Sequence, residues 1–567
     1  MKQIIQIALV LVTSLAYGQY DGNTSPDYPT LIKIYQELAS NNDEIELYEM
    51  GESDYGLPIY LCVINGAGDS LSTFQKAQQS TTLLVNNAIH PGEPDGVNAC
   101  LIWISDWIKN GKKTKGLPVI GIIPAYNVGG MMNRSGTSRA NQNGPEEYGF
   151  RGNSQNLDLN RDFIKMDTKN MFTFAKIYQA LDPDVFLDAH VSNGADYQYV
   201  MSYIASVRER MSPALGELMH GEMIPWLEKT SAKRGFDLIP YVHTKGETPE
   251  SGIQVFNDLP RYAMGYASLM NSISFTLETH MLKPFPERVQ ATLVFIDATI
   301  EWMGENADEI EEARAKTKEW VSSMDQHYYN YRLTDSQDSI LFKGFESSKP
   351  VSEITGLARL KYHQDRPYEK YIPYFNVYEP EDWVSVPDYF IVGGQCTDVI
   401  ERLMANGIEM REMSVDSTIT TNCFRIISFE NGTKPYEGHY LHNKIKREVV
   451  QKKVLVKKGD FWISTHQNNR RFLMSVLDPA SPDSYFAWNF FDSYVQQKEY
   501  FSPYVFEEKA VEILANDSDL RKEFEERKAN DSEFNESPWD QLFFIYQHSE
   551  FYEPTHNFLP IYFGDIH

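Results

Sequence analysis

The chain predicts an α/β fold with a mixed or parallel central sheet flanked by helices, followed by a β-rich or α+β accessory region. Three observations predict it. Short apolar runs alternate with helix-period segments from about Pro26 to Gly304. Polar residues capable of chemistry stand at or just after the carboxyl ends of four of those runs, where open α/β sheets place their ligand crevice. From about Leu341 to Leu477 the composition turns aromatic and β-branched.

The strand candidates, in order, are Ile59 to Ile64, Thr82 to Val85, Pro118 to Pro124, Val185-Phe186-Leu187 and Ile273 to Leu277. Between them Val97 to Lys109 and Lys169 to Leu181 carry helical periodicity. The segment Asn127 to Asp162 is rich in Asn, Gly, Ser and Arg and lacks an apolar period. It reads as a long loop over the sheet, a length usually reserved for function. Ala307 to Met324 is acidic and helical. Beyond it, Tyr389-Phe390-Ile391-Val392 and Val454-Leu455-Val456 read as strands, and Val399 to Asn406 as a short helix. Glu507 to Lys528 reads as one charged amphipathic helix and Trp539 to Tyr546 as another, with an aromatic tail after Glu553 packing back. No internal repeat or low-complexity segment interrupts the chain.

With 567 residues, 42% of them hydrophobic, the chain can bury a large core divided among several domains. A net charge of -27 argues against phosphate-backbone binding, so nucleic acid is excluded as a partner. Met1-Lys2, the apolar run Ile4 to Ala16 and the small-residue exit Ala16-Tyr17-Gly18 have the form of a secretory signal. The run is too short to span a bilayer comfortably, so a secreted or periplasmic protein without stable membrane insertion is expected after cleavage. The resulting division is a signal peptide over 1–18, a catalytic domain over 24–304, a helical connector over 305–335 and an accessory region over 336–567. Cys62, Cys100, Cys396 and Cys423 lack paired C-x-x-C spacing and leave zero, one or two bridges open.

The chemistry begins at the loop Asn86 to Gly96. The apolar run Leu83-Leu84-Val85 enters it and a helical run leaves it, so His90 and Glu93 occupy a Pro/Gly-fixed strand-to-helix turn from which both can face one ion. Among 13 histidines about one H-x-x-E is expected by chance, and the spacing alone also suits a surface pair. His190, in Asp188-Ala189-His190 at the next strand end, supplies a third ligand. A His/Glu/His set leaves zinc one open position for water, though it also tolerates cobalt or manganese.

Asn156 to Phe163 contains the more specific pattern. H-x-x-E, then R-x-N ahead of D-L-N-R, then D-x-H, then a strand-borne Glu resembles, in that order, the carboxypeptidase A-like zinc peptidases, over roughly Tyr28 to Glu301. The resemblance implies one Zn2+ per chain on His90, Glu93 and His190, with Glu278 as the general base that shuttles the proton from water to the leaving amine. It implies that Arg151 stabilises the oxyanion, with Arg139 in Ser138-Arg139-Ala140-Asn141 as its rival. Asn160 and Arg161 would grip the free C-terminal carboxylate of a peptide substrate, and Asp158 would brace the first zinc histidine. The family's mobile tyrosine has no clear counterpart. Phe256 stands near its spacing, while Tyr262 is the substrate-binding candidate chosen, with Tyr266 and Arg261 nearby.

The resulting expectation is an exported zinc metallocarboxypeptidase. Its rivals are a same-fold amidase acting on cell-wall peptides or acyl-amino acids, and a peptide- or glycan-binding protein without turnover. The interval after Gln19 is too short for a separable inhibitory propeptide, so activity without trimming is expected. His439 and His442, with no third ligand beside them, are expected to be structural.

Overall fold

The computed structural model describes residues 22–66 and 72–566, so the expected signal peptide lies outside the described residues. The first half is built on strands β1 (Ile45–Glu52), β2 (Pro58–Ile64), β3 (Thr82–Asn86), β4 (Val119–Ile123), β5 (Val185–Ser192), β6 (Met201–Ala205), β7 (Leu238–Pro240), β8 (Ile253–Gln254) and β9 (Ile273–His280). All but β8 join one sheet in the order β1-β2-β4-β3-β5-β9-β6-β7. Its centre is parallel, from β4 through β3 and β5 to β9, and its flanks include antiparallel pairs.

Every residue of β3, β4 and β5 is buried, which is why their apolar stretches Leu83–Val85, Val119–Ile123 and Val185–Leu187 read as unbroken runs rather than alternating ones. The helix Asp95–Lys109 connects β3 to β4, and Lys169–Leu181 precedes β5 on the other side of β3. Right-handed crossovers running in opposite directions along a sheet place their helices on opposite faces. The strand order therefore reverses at β3, and its carboxyl end opens on the crevice where such sheets bind ligands.

The accessory region adds β10 (Gln326–Leu333), β11 (Asp338–Ser348), β12 (Lys361–Phe375), β13 (Tyr378–Ser385), β14 (Tyr389–Val392), β15 (Arg411–Glu412), β16 (Ser417–Asn431), β17 (His442–Val456), β18 (Phe461–Ser464) and β19 (Phe558–Gly564). Six of these form an antiparallel sheet in the order β15-β18-β14-β19-β16-β17, so the aromatic tail does pack back, as an interior strand. The β11–β12 hairpin extends to β8, Tyr374 pairing with Ile253, and so continues a strand of the first half.

The two halves share one apolar core, in which Phe390, Leu403, Phe472 and Trp488 belong with Leu84, Phe186 and Tyr266. Polar ties cross the same boundary: Arg402 donates to the carbonyls of Lys165 and Met166, and the Tyr266 hydroxyl to Asn406 at 2.8 Å.

Several expectations are corrected. The segment 305–335 is helical only to Ser323, and β10 begins at Gln326. Glu507 to Lys528 is two helices, Pro503–Asn516 and Ser518–Asn530, because the Asp517 carboxylate caps the second by accepting from the amides of Asp519 and Leu520. The loop 127–162 includes a short helix, Val128–Met132, capped by Asn127, and a 3-10 turn, Leu159–Arg161. Val454 to Val456 is the end of the fifteen-residue strand β17. Of the zero, one or two bridges left open, the structure has zero: Cys62, Cys100, Cys396 and Cys423 are unpaired.

Candidate active site

His90 and Glu93 lie between β3 and the helix beginning at Asp95, in a turn closed by the Glu93 amide donating to the His90 carbonyl at 2.8 Å. The turn is anchored from behind. The fully buried Arg288 pairs with Asp95 at 3.0 Å and also donates to the carbonyls of Asn143, Lys283 and Gly144, while Thr279 of β9 donates to the same carboxylate. Gly96 allows close approach, since a Cβ there would stand 2.4 Å from that of Ala189. The ligand loop is thereby fixed against β5 and β9, the strands that carry His190 and Glu278.

His190 and Glu278 are register partners on these adjacent parallel strands, inside the strands rather than after them. His190 Nδ1 lies 3.1 Å from His90 Nδ1 and 3.0 Å from Glu93 Oε2, and His90 Nδ1 lies 3.3 Å from Glu93 Oε2. Among the described residues, His90, Glu93 and His190 form the group able to hold a metal ion. Zinc bonds of about 2.0–2.1 Å in tetrahedral geometry require ligand atoms about 3.3 Å apart, so the donors fit zinc in kind and in spacing.

Each histidine's other nitrogen is engaged by a carboxylate: His90 Nε2 by Asp158 at 2.9 Å, His190 Nε2 by Asp188 at 2.7 Å. That arrangement fixes both rings with Nδ1 facing the common point. Glu93 in turn accepts from the Val191 amide at 3.0 Å and from Arg139 at 2.6 Å. Burial alone would raise the Glu93 carboxyl, but Arg139 and the two histidines hold it well below the ordinary range. At Glu278 burial wins, with Glu93 reinforcing it against His190 and Arg151, and the carboxyl is pushed up to about 8.

His90, Glu93, His190, Glu278, Arg151, Asn160, Arg161 and Tyr262 all line one cavity of about 230 Å³. Arg151 reaches it while pairing with Asp158 at 3.0 Å and Glu93 at 3.6 Å. Its rival Arg139 does not line the cavity and is spent on Glu93 and Gln142. The Asn160 side-chain oxygen accepts from the Ala263 amide at 2.9 Å, which leaves its NH2 group as the free donor of a residue that lines the cavity. Arg161 lies 4.7 Å above the Tyr262 ring, and Tyr262 caps its helix rather than belonging to it. Phe256 joins the lining. Arg261 points away to Asp483, and Tyr266 is buried on Asn406.

Sequence reasoning missed Asp188, although it stands in the quoted D-x-H, and Arg139 as a brace for Glu93. It also missed Tyr241, which lines the cavity, and whose hydroxyl is held un-ionised by burial and then by Glu278. A larger cavity of about 400 Å³ abuts the first across Ile204, Tyr241 and Phe256. His439 and His442 bind Asp167 and Asp492, at 2.7 and 2.8 Å, in separate places.

No family model matches the chain. Two curated fungal proteins, Carboxypeptidase 2 of Trichophyton rubrum and of Trichophyton equinum, are each 20% identical to it. The first aligns over 499 residues, 83% of this chain and 85% of the relative. The second covers 82% and 85%. The chain is similar to these carboxypeptidases. Because 83% is more than the residues up to Gly304 can supply, the similarity reaches into the accessory region. Among solved structures, carboxypeptidase A from Helicoverpa armigera aligns at a TM-score of 0.36 and 15% identity, covering 56% of this chain and 81% of its own. A metallo-carboxypeptidase from Pseudomonas aeruginosa aligns at 0.35 and 16%, covering 49% and 69%.

Proposed function

We infer that the chain is a zinc metallocarboxypeptidase that removes single residues from peptide C-termini. The observation that carries this reading is the convergence on one cavity of a His90/Glu93/His190 ligand set, the carboxyl of Glu278 and the polar group Arg151, Asn160 and Arg161. A zinc ion on that set supplies the Lewis acidity that makes water nucleophilic near neutral pH.

The chain's own residues do the rest. Arg161 and the Asn160 amide hold the substrate's terminal carboxylate, a match for donors held in a fixed fork. Arg151, tethered through its Nε to Asp158, offers its remaining N–H groups to the oxygen of the scissile carbonyl as negative charge develops there. Glu278 takes the proton of the attacking water and delivers it to the leaving amine; burial and Glu93 raise this carboxyl's affinity for that proton, and a cation on the neighbouring ligands would draw it back toward the range of a base. The rest of the lining mixes Val191, Ile204, Phe256, Tyr262 and Met264 with Ser192, Asn193, Tyr241 and Thr276, which suits an apolar or aromatic released residue that also accepts hydrogen bonding. Export rests on the Met1 to Gly18 pattern. Among the described residues no helix is long and apolar enough to cross a membrane.

The test pairs metal analysis of the purified protein with mass spectrometry of a peptide library, comparing wild type with Glu278→Gln. One zinc per chain and C-terminal trimming that disappears in the variant are expected. Zinc without trimming would favour the amidase on cell-wall peptides, and absence of bound metal after loading would leave the binding protein.

A further inference from the structure

The β16–β17 hairpin ends in Tyr436-Glu437-Gly438-His439, and this tip crosses from the accessory region onto the D-L-N-R segment. Glu437 Oε2 accepts from the Asp158 amide at 2.7 Å. Two residues on, His439 holds Asp167 at 2.7 Å, and the Arg261 guanidinium lies 5.7 Å from the Tyr436 ring. Glu437 itself is left-handed, with φ of 49°, a conformation that non-glycine residues adopt at a cost and that tends to mark functional positions.

The contact matters because of what Asp158 holds. Its Oδ1 engages His90 Nε2 and accepts from the Asn160 amide, both at 2.9 Å, and its Oδ2 accepts from Arg151 at 3.0 Å. A metal ligand, a carboxylate clamp and the oxyanion donor thus all register on one side chain, and Glu437 holds the backbone beneath it. We propose that Glu437 is a positioning residue of the catalytic centre, donated by the accessory region, which sets His90 and Asn160 through Asp158. The substrate side of this proposal rests on the carboxypeptidase reading; the metal side does not.

The experiment uses the full chain, zinc-loaded, with Glu437→Gln and Glu437→Met. Glutamine keeps an oxygen that can accept from Asp158, whereas methionine fills similar space without one. Two quantities are read: the rate at which zinc is lost to a chelator, and kcat and KM on a peptide substrate. Removing outer partners of metal ligands typically costs 10–100-fold, and from one contact further out we expect about fivefold faster zinc loss and about fivefold higher KM in the methionine variant. Changes in kcat should be smaller, and the glutamine variant should stay within about twofold of wild type, the range of a neutral substitution. Glu437→Ala repeats the removal should methionine prevent folding. Zinc loss at the wild-type rate in both acceptor-free variants would overturn the proposal, as would equal loss in the glutamine and methionine variants. If the wild type turned over no peptide at all, the zinc-loss comparison would still decide, and only the carboxypeptidase reading would fall.

Discussion

The strands of the two halves are buried differently. In β3, β4 and β5 no residue is exposed, while β12, β16 and β17, each fifteen residues long, are mostly exposed or half-buried, with one, four and two buried positions. A sheet covered on both faces admits polar chemistry chiefly toward the carboxyl ends of its strands, where His90 follows β3 and His190 and Glu278 stand two residues before the ends of β5 and β9. A sheet covered on one face has polar positions throughout, so none of them is singled out. The candidate catalytic groups therefore concentrate in the first half, and the second contributes packing and the hairpin tip.

The sharpest way to break this contrast is Glu278→Gln, which should lower kcat by about 10²–10⁴-fold while zinc content is unchanged. Retained turnover would move the chemistry elsewhere. Next, Phe472→Ala in the accessory part of the shared core should cost about 3–5 kcal/mol in urea unfolding. Because that core is continuous, both halves should melt in one transition; two separate transitions would show the halves to be independent. Arg161→Ala should cost about 1.5–3 kcal/mol of substrate binding, read as a higher KM for peptides and unchanged affinity for peptide amides. A KM shift shared by both substrates would remove the carboxylate clamp.

The smallest effect is on pH dependence of the metal-free protein. Folding raises the Glu278 carboxyl from 4.5 to about 8, so the folded state holds that proton more tightly than the unfolded chain. Its contribution is fully present below pH 4.5 and is lost as pH rises through 8. Metal-free Glu278→Gln should therefore melt above metal-free wild type at pH 9, with the gap closing by pH 5. A gap independent of pH would contradict the burial assigned to Glu278.

That His90, Glu93, His190 and Glu278 come together was legible because a two-sided sheet writes its strands as apolar runs and its polar groups near their carboxyl ends. The helix Lys169–Leu181 was legible to the residue for a similar reason, a strong period bounded by a Thr168 cap. Asp188 was hidden by its place inside an apolar strand, where an acid reads as an exception and not as a partner of the histidine two residues on. Arg139, Tyr241 and Glu437 were illegible because their partners are remote in sequence, 46 residues away for Arg139 and 279 for Glu437. The break at Asp517 was missed because the charged period continues through it while the backbone does not.

The place of β19 bears on how the molecule comes into being. It lies between β14 and β16, yet it is synthesised after every other strand of that sheet. Strand β16 has β17 on one side and gains its other neighbour only once Phe558–Gly564 has left the ribosome. At about 5–20 residues per second, that is roughly tens of seconds after Glu278 is made. During that interval the nascent chain carries the candidate ligands and base, and the tip at Glu437, once made, sits on a hairpin that still lacks this neighbour. Maturation of the enzyme thus has a built-in order, in which the scaffold of the reaction is laid down first and its final alignment waits for one late strand.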